Sequence, residues 1–172
     1  MTQASPKDED WRAGGFGIYV HWPYCLAKCP YCDFNSHVAR VVDQEAMRAG
    51  LLAQLRAARE LTGPRVAGSL FFGGGTPSLM PPETAAAVIE DAAKRYPIDR
   101  SRIYITGLSM GGMGTMAMVQ ALPDRFAAAI PICGRGDVSK ASKMVDIPMW
   151  FFHGDADPTV KPEGSTQMVE AI

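Results

Sequence analysis

The sequence predicts an α/β protein with a mainly parallel sheet, and three observations carry that expectation. Short apolar runs rich in β-branched and aromatic residues alternate with segments of helical period along all 172 residues. Two of those runs lead directly into glycine turns, "GGGTPS" and "GLSMGG". The composition is 47% apolar and 20% charged, which is enough for a real core in one domain or two small ones.

Taken in order, residues 1–15 are polar and acidic and read as a solvated leader. "FGIYVHW" (16–22) is a buried strand, followed by a cysteine-rich loop. Residues 42–60 form an amphipathic helix whose Met47, Leu51, Leu52 and Leu55 share one stripe, and "TGP" ends it. "SLFF" (69–72) is a strand that runs into glycines. "PPET" opens a helix over 82–95, where proline suits the first turn. Strands follow at 102–107, 126–132 and 148–152, with a helix at 110–122. The polar stretch 134–146 has room for no more than a short helix. Five such units fit one open, doubly wound sheet with its sites at the carboxyl ends of strands.

Charge and composition narrow the function classes. A net charge of −1 gives no electrostatic reason to expect nucleic acid or an anionic membrane as partner. No apolar run approaches the ~20 residues of a membrane span, and the start lacks the basic and apolar parts of a signal peptide. The expected location is cytoplasmic. Four cysteines, three of them clustered, suit a reduced compartment and a metal or catalytic role better than disulfides.

Cys25, Cys29 and Cys32 follow a C-x3-C-x2-C pattern just after a strand. Soft thiolates brought together by tight spacing suit an iron–sulfur cluster, and three ligands leave one iron open to a small molecule. A zinc site completed by His21, His37 or Cys133, or cysteines that bind nothing, are the alternatives from spacing alone. At the end of the next strand, the N–H groups of Gly74 and Gly75 and the Thr76 hydroxyl can meet a polar ligand without Cβ obstruction.

"GIYVHWPYCLAKCPYCDFNSH" and "SLFFGGGTPSLMPPET" resemble the opening of the radical S-adenosylmethionine family, specifically its coproporphyrinogen-III-oxidase-like group, which includes the heme chaperones. The resemblance implies a [4Fe–4S] cluster on Cys25, Cys29 and Cys32, with S-adenosylmethionine on its free iron. It implies that Tyr19, Tyr31, Gly74, Gly75 and Thr76 contact that ligand. An electron donor, and in the heme chaperones heme itself, are the further partners implied. The match covers residues 16–85 and then stops, so the expected barrel is partial.

"YITGLSMGG" (104–112) is a strand, a sharp G-x-S-x-G turn and a helix start, the setting of a nucleophile elbow. Ser109 would stand out over the sheet, with the Met110 N–H donating to an oxyanion at the helix N-terminus. "FFHGDADPTV" follows a later strand and offers Asp157, or Asp155, as an acid. Residues 86–172 resemble the carboxylesterase and depolymerase-like group of α/β hydrolases, which implies Ser109 as nucleophile and Asp157 as acid. The pattern's histidine should follow the acid, yet none follows His153, which reads as a structural or turn residue. The other two, His21 and His37, belong to the cysteine-loop region.

The chain therefore reads as a mosaic: a partial radical-SAM barrel joined to a partial α/β-hydrolase sheet. The resemblances imply an oxidoreductase or heme carrier in one half and an ester hydrolase in the other, with neither site complete. Helix faces made for a missing layer favour self-association. Cys133, Trp22 and Trp150 are expected in the core or a pocket wall, and Met110, Met113, Met116 and Met118 as core filler.

Overall fold

The computed structural model describes residues 15–172, so the expected leader, all but Gly15 of it, and Trp11 lie outside the described residues. The element order is β1 (Gly17–Trp22), β2 (Tyr24–Cys25), β3 (His37–Val38), α1 (Gln44–Thr62), β4 (Ser69–Gly74), α2 (Pro82–Arg95), β5 (Tyr104–Leu108), α3 (Met110–Ala121), β6 (Ala128–Ile132) and α4 (Glu163–Ala171). Every named strand pair is parallel, as an α/β chain requires. The strands do not merge into one open sheet. Among the described residues they form three two-stranded sheets, β1–β4, β2–β3 and β5–β6.

Local chemistry sets the element ends. Asp43 accepts from the Ala46 N–H at 2.9 Å, so α1 starts two residues later than its periodicity suggests. Gly63, at φ +68°, ends it. The expected strand at 148–152 is present only as two parallel bridges, Ala129↔Met149 and Ile132↔Phe152. The Trp150 N–H reaches the Ala129 carbonyl at 3.0 Å and the Cys133 N–H reaches Phe152 at 2.7 Å. Between these two bonds stands Pro131, which has no N–H to donate, and the ladder breaks there.

Three apolar clusters hold the fold. Val20 of β1, Leu55 of α1, and Val88, Ala92 and Tyr96 from α2 and its end make the first. Trp22, Met80 and Ala85 make the second, next to the cysteine loop. Met116 and Val119 of α3, Ala129 of β6, Met144 and Met168 belong to the third. Helix α2 touches all three: Val88 and Ala92 face the first, Ala85 the second, and Ile89, one position round the helix, packs on the third. Glu90 of the same helix pairs with Arg100 at 2.8 Å and with Arg125.

The methionine-rich helix divides its residues. Met116 is fully buried and Met113 and Met118 half-buried, whereas Met110 is exposed. Trp22 is fully buried, but Trp150 is 65% exposed and Cys133 is half-buried with φ +40°, so neither is a core residue.

Asp99 caps the turn at Arg100–Arg102. It accepts from the Ser101 hydroxyl at 2.6 Å, Arg102 Nε at 2.7 Å and the Ser101 N–H at 3.0 Å. These bonds favour the charged form and push its carboxyl down to about 2. The stability this confers is full above the ordinary carboxylate value of 3.8 and is lost as pH falls from there towards about 2. An NMR titration of the Asp99 carboxyl should show that low midpoint. One near 3.8 would mean that the capping bonds do not persist in solution.

Candidate functional site

The register of β1 against β4 positions the first site. Trp22 pairs with Gly74, so the cysteine loop leaves β1 beside the glycine turn that leaves β4. The Gly75 N–H donates to the Trp22 carbonyl at 2.7 Å, and the Thr76 N–H to that of Tyr24 at 2.9 Å. The Thr76 hydroxyl then donates to the Cys25 sulfur at 3.3 Å. Two stretches some fifty residues apart are thereby stitched into one surface. Gly74 takes φ +106°, which favours glycine, and a Cβ on Gly75 would stand 2.9 Å from the Cys25 sulfur.

Cys25 is buried at the end of β2, Cys29 is exposed and Cys32 half-buried, and all are free thiols. The Cys32 N–H donates to the Cys29 carbonyl at 3.0 Å, folding the loop back on itself. Among the described residues no group of three or more His, Cys, Asp or Glu is gathered to hold a metal. The donor set nonetheless fits an iron–sulfur cluster in kind and number, with Cys25 fixed and the other two on the exposed arc. Tyr31 lies on that arc, 87% exposed. Its hydrogen bond to Cys29, and the charges of Cys29 and Cys32, raise its pKa above the usual phenol value.

Tyr19 and His21 stand on the open face of β1. His21 Nε2 donates to the Asn35 carbonyl at 2.8 Å, leaving Nδ1 to accept from the Tyr19 hydroxyl at 3.3 Å. Both nitrogens are thus engaged away from the cysteines. His37 lies on exposed β3, and Cys133 is at the end of β6 in the other half. Sequence reading gave no hint of the short β2–β3 pair or of the Asn35 carbonyl. Two-residue strands carry no periodic signal, and a backbone acceptor has no residue signature.

The second site is the turn between β5 and α3. Ser109 adopts φ +56° and ψ −114°, a strained backbone for a residue with a Cβ. Its N–H donates to the Ile132 carbonyl at 2.9 Å, and its own carbonyl receives the Met113 N–H at 3.0 Å, fixing the turn on both sides. A Cβ on Gly107 would collide with the Gly111 carbonyl, which is why glycine flanks the serine. Ser109→Gly should therefore raise stability by about 1 kcal/mol, read by denaturant unfolding. Unchanged or lower stability would mean that the turn is unstrained.

Asp157 caps its own loop. Its Oδ1 accepts from the N–H groups of Thr159 at 2.8 Å and Val160 at 3.0 Å. The Val160 and Thr159 bonds, aided by the charge of His153, hold its carboxyl below the usual range. Oδ2 lies 3.6 Å from His153 Nε2. That nitrogen donates to the Val160 carbonyl at 2.8 Å, while Nδ1 meets the Ser165 hydroxyl oxygen at 2.7 Å. Ser165 in turn donates to the Gly134 carbonyl at 2.8 Å, tying α4 to the end of β6. His153 is a structural clasp rather than a partner of Ser109, as its place in "HGD" suggests. Neither α4 nor the part played by Ser165 was legible in the sequence: a nine-residue helix at the end of the chain gives little periodicity.

Comparison with known proteins divides the chain along the same line. Residues 83–151 match the prolyl oligopeptidase family (Peptidase_S9). A solved thermostable esterase is 49% identical, with a TM-score of 0.51, covering 52% of this chain and 24% of that one. Radical S-adenosyl methionine domain-containing protein 1, mitochondrial, of Bos taurus is 49% identical over 90 residues, 52% of this chain. The chain is a mosaic. Its first half resembles radical SAM proteins and its second half α/β hydrolases. The heme chaperone HemW of Haemophilus influenzae is 37% identical over 83 residues of the mosaic. The mosaic spans about a fifth of both curated relatives, 20% and 22% of their lengths. Among its described residues no helix is long and apolar enough to cross a membrane.

Proposed function

We propose that the first half binds a [4Fe–4S] cluster through Cys25, Cys29 and Cys32, together with S-adenosylmethionine. The observation that supports this is the Thr76–Cys25 contact. It joins the glycine turn to one thiol of the cysteine loop, so a small ligand on the loop would lie beside that turn, whose Gly75 N–H is already taken by the Trp22 carbonyl. When bound, such a cluster supplies single electrons from a reduced donor to the ligand's sulfonium. The chain's own part is to hold and to exclude: Tyr19 and Tyr31 would flank the ligand, and the buried Trp22 cluster packs on Tyr24, the neighbour of Cys25. Heme carriage rests on the family resemblance alone. The same reading puts the join near residues 82 to 90, within α2.

Anaerobic reconstitution with iron and sulfide tests the proposal. It should give a brown protein with about four irons per chain. Adding S-adenosylmethionine should then change the electron paramagnetic resonance spectrum of the reduced form. A colourless, iron-free product overturns the reading.

The strained backbone of Ser109 favours a second reading, a serine esterase with Ser109 as nucleophile, the Met110 N–H as oxyanion donor and Asp157 as acid. It has no base among the described histidines, because His21 and His153 use both ring nitrogens elsewhere and His37 is on the far half. Hydrolysis of a p-nitrophenyl ester should therefore be weak or absent, since an incomplete triad keeps only a small part of its rate. Fast turnover that Ser109→Ala removes would promote this reading above the first.

A further inference from the structure

Parallel sheets are normally covered on both faces, because their strands are apolar on both sides. The β5–β6 sheet is covered on one. The register Tyr104↔Ala128, Thr106↔Ile130 and Leu108↔Ile132, extended by the bridge Ile132↔Phe152, sorts its side chains into two faces. Ile105, Ala129, Met149 and Phe151 turn inward to the third cluster. Tyr104, Leu108, Ile130, Ile132, Trp150 and Phe152 turn the other way. On that outer face Tyr104, Leu108 and Trp150 are each 65% exposed and Phe152 42%. Trp150 and Phe152 lie with ring centroids 4.6 Å apart. No charged side chain occupies a position on this face in any of the three strands.

We propose that this bare face is a self-association surface, and that its occupant is the same face of a second copy. Surface area argues for a partner. The chain exposes 11298 Å², whereas a compact monomer of 18.6 kDa exposes about 8,200 Å². That excess is shared across the chain, with Tyr19, Phe34, Leu61 and Phe71 of the first half exposed alongside Tyr104, Leu108 and Trp150 of this face. A stable pair needs roughly 800 Å² from each partner. Charge argues for a like partner. A two-fold contact sets each residue of a patch against the same patch, which an uncharged face tolerates and a charged one resists. The segment 1–14 is a poor occupant, with Trp11 as its one aromatic side chain among five charged residues. The open face of β1–β4 is set apart because it carries Tyr19 and His21, the ligand side of the proposed cofactor site.

Sedimentation velocity of the full chain, from about 1 to 100 μM, should show one species whose mass rises towards twice 18.6 kDa. Trp150→Lys and Leu108→Glu, on different strands and both at exposed positions, should each weaken the pair by at least about 30-fold with unchanged circular dichroism. If one of them unfolds, the other carries the test. Phe71→Lys, on the other sheet, should leave the pair intact. A monomer at the highest concentration overturns the proposal. So does association that survives both Trp150→Lys and Leu108→Glu, or an open ladder of larger species. Pairing that appears only after residues 1–14 are removed would name that segment as the occupant, and would overturn it too.

Discussion

Cys25→Ser should abolish iron loading: reconstitution is expected to give under one iron per chain, against about four in the parent protein. Cys133→Ser should load like the parent. The effect is large because serine keeps the shape but not the donor. Its hydroxyl stays protonated at neutral pH, whereas a thiol yields the soft thiolate that iron prefers. Cys25 is also the thiol that the rest of the fold addresses. It is buried, it accepts from Thr76 at 3.3 Å, and it stands at the end of β2, paired with β3. Cys29 and Cys32 sit further out on the loop, and their serine variants should lose iron as well. The measurement is iron and sulfide analysis alongside visible absorbance, with circular dichroism as the check on folding. Full loading of Cys25→Ser would remove the cysteine loop as the site.

Trp22→Ala should cost about 3–5 kcal/mol by denaturant unfolding, a large share of the total for a chain this size. Trp22 is fully buried, edge-on to Tyr24 with ring centroids 5.5 Å apart, and packed with Met80 and Ala85. Removing the indole leaves a cavity behind the cysteine loop that backbone shifts cannot fill. Trp22→Phe should behave very differently. The indole N–H is buried with no hydrogen-bond partner, so a ring without that donor sheds an unsatisfied group while filling most of the space. Its cost is expected below about 1.5 kcal/mol. Equal losses in the two variants would show that something other than packing volume fixes Trp22. The Trp22 carbonyl also receives the Gly75 N–H at 2.7 Å, a backbone bond that neither substitution removes.

What the sequence disclosed follows from how local each signal is. The α1 stripe of Met47, Leu51, Leu52 and Leu55, the proline opening of α2 and the glycines around Ser109 are patterns that neighbours in the chain impose on one another. All of them appear in the structure close to where they were expected. The number and grouping of the sheets was not legible, because strand pairing depends on partners far away in sequence. The interrupted strand at 148–152 depends on a missing N–H at Pro131, on a different strand. Trp150 shows the same limit from the other side. An apolar residue in an apolar run predicts burial, but burial also needs a second layer, and none of the described elements lies over that face. At the candidate sites, the cysteine spacing and the serine turn were visible as residue patterns. The Thr76–Cys25 contact and the Ser165 clasp on His153 were not, since each joins segments that only the fold brings together.

Helix α2 presents Val88 and Ala92 to one apolar cluster and Ile89 to another, while Glu90 holds Arg100 and Arg125. A wall shared between two rooms cannot be taken down from one side only. If either cluster melts, the helix loses part of its support, the larger part with the first cluster, and the stripe that faced it is opened to water. The two halves of this chain are thereby coupled through one helix, so weakening one cluster is expected to weaken the other. A seam in an exposed loop would leave them as neighbours; a seam in α2, as proposed, would lie in a helix packed on both sides and would couple them.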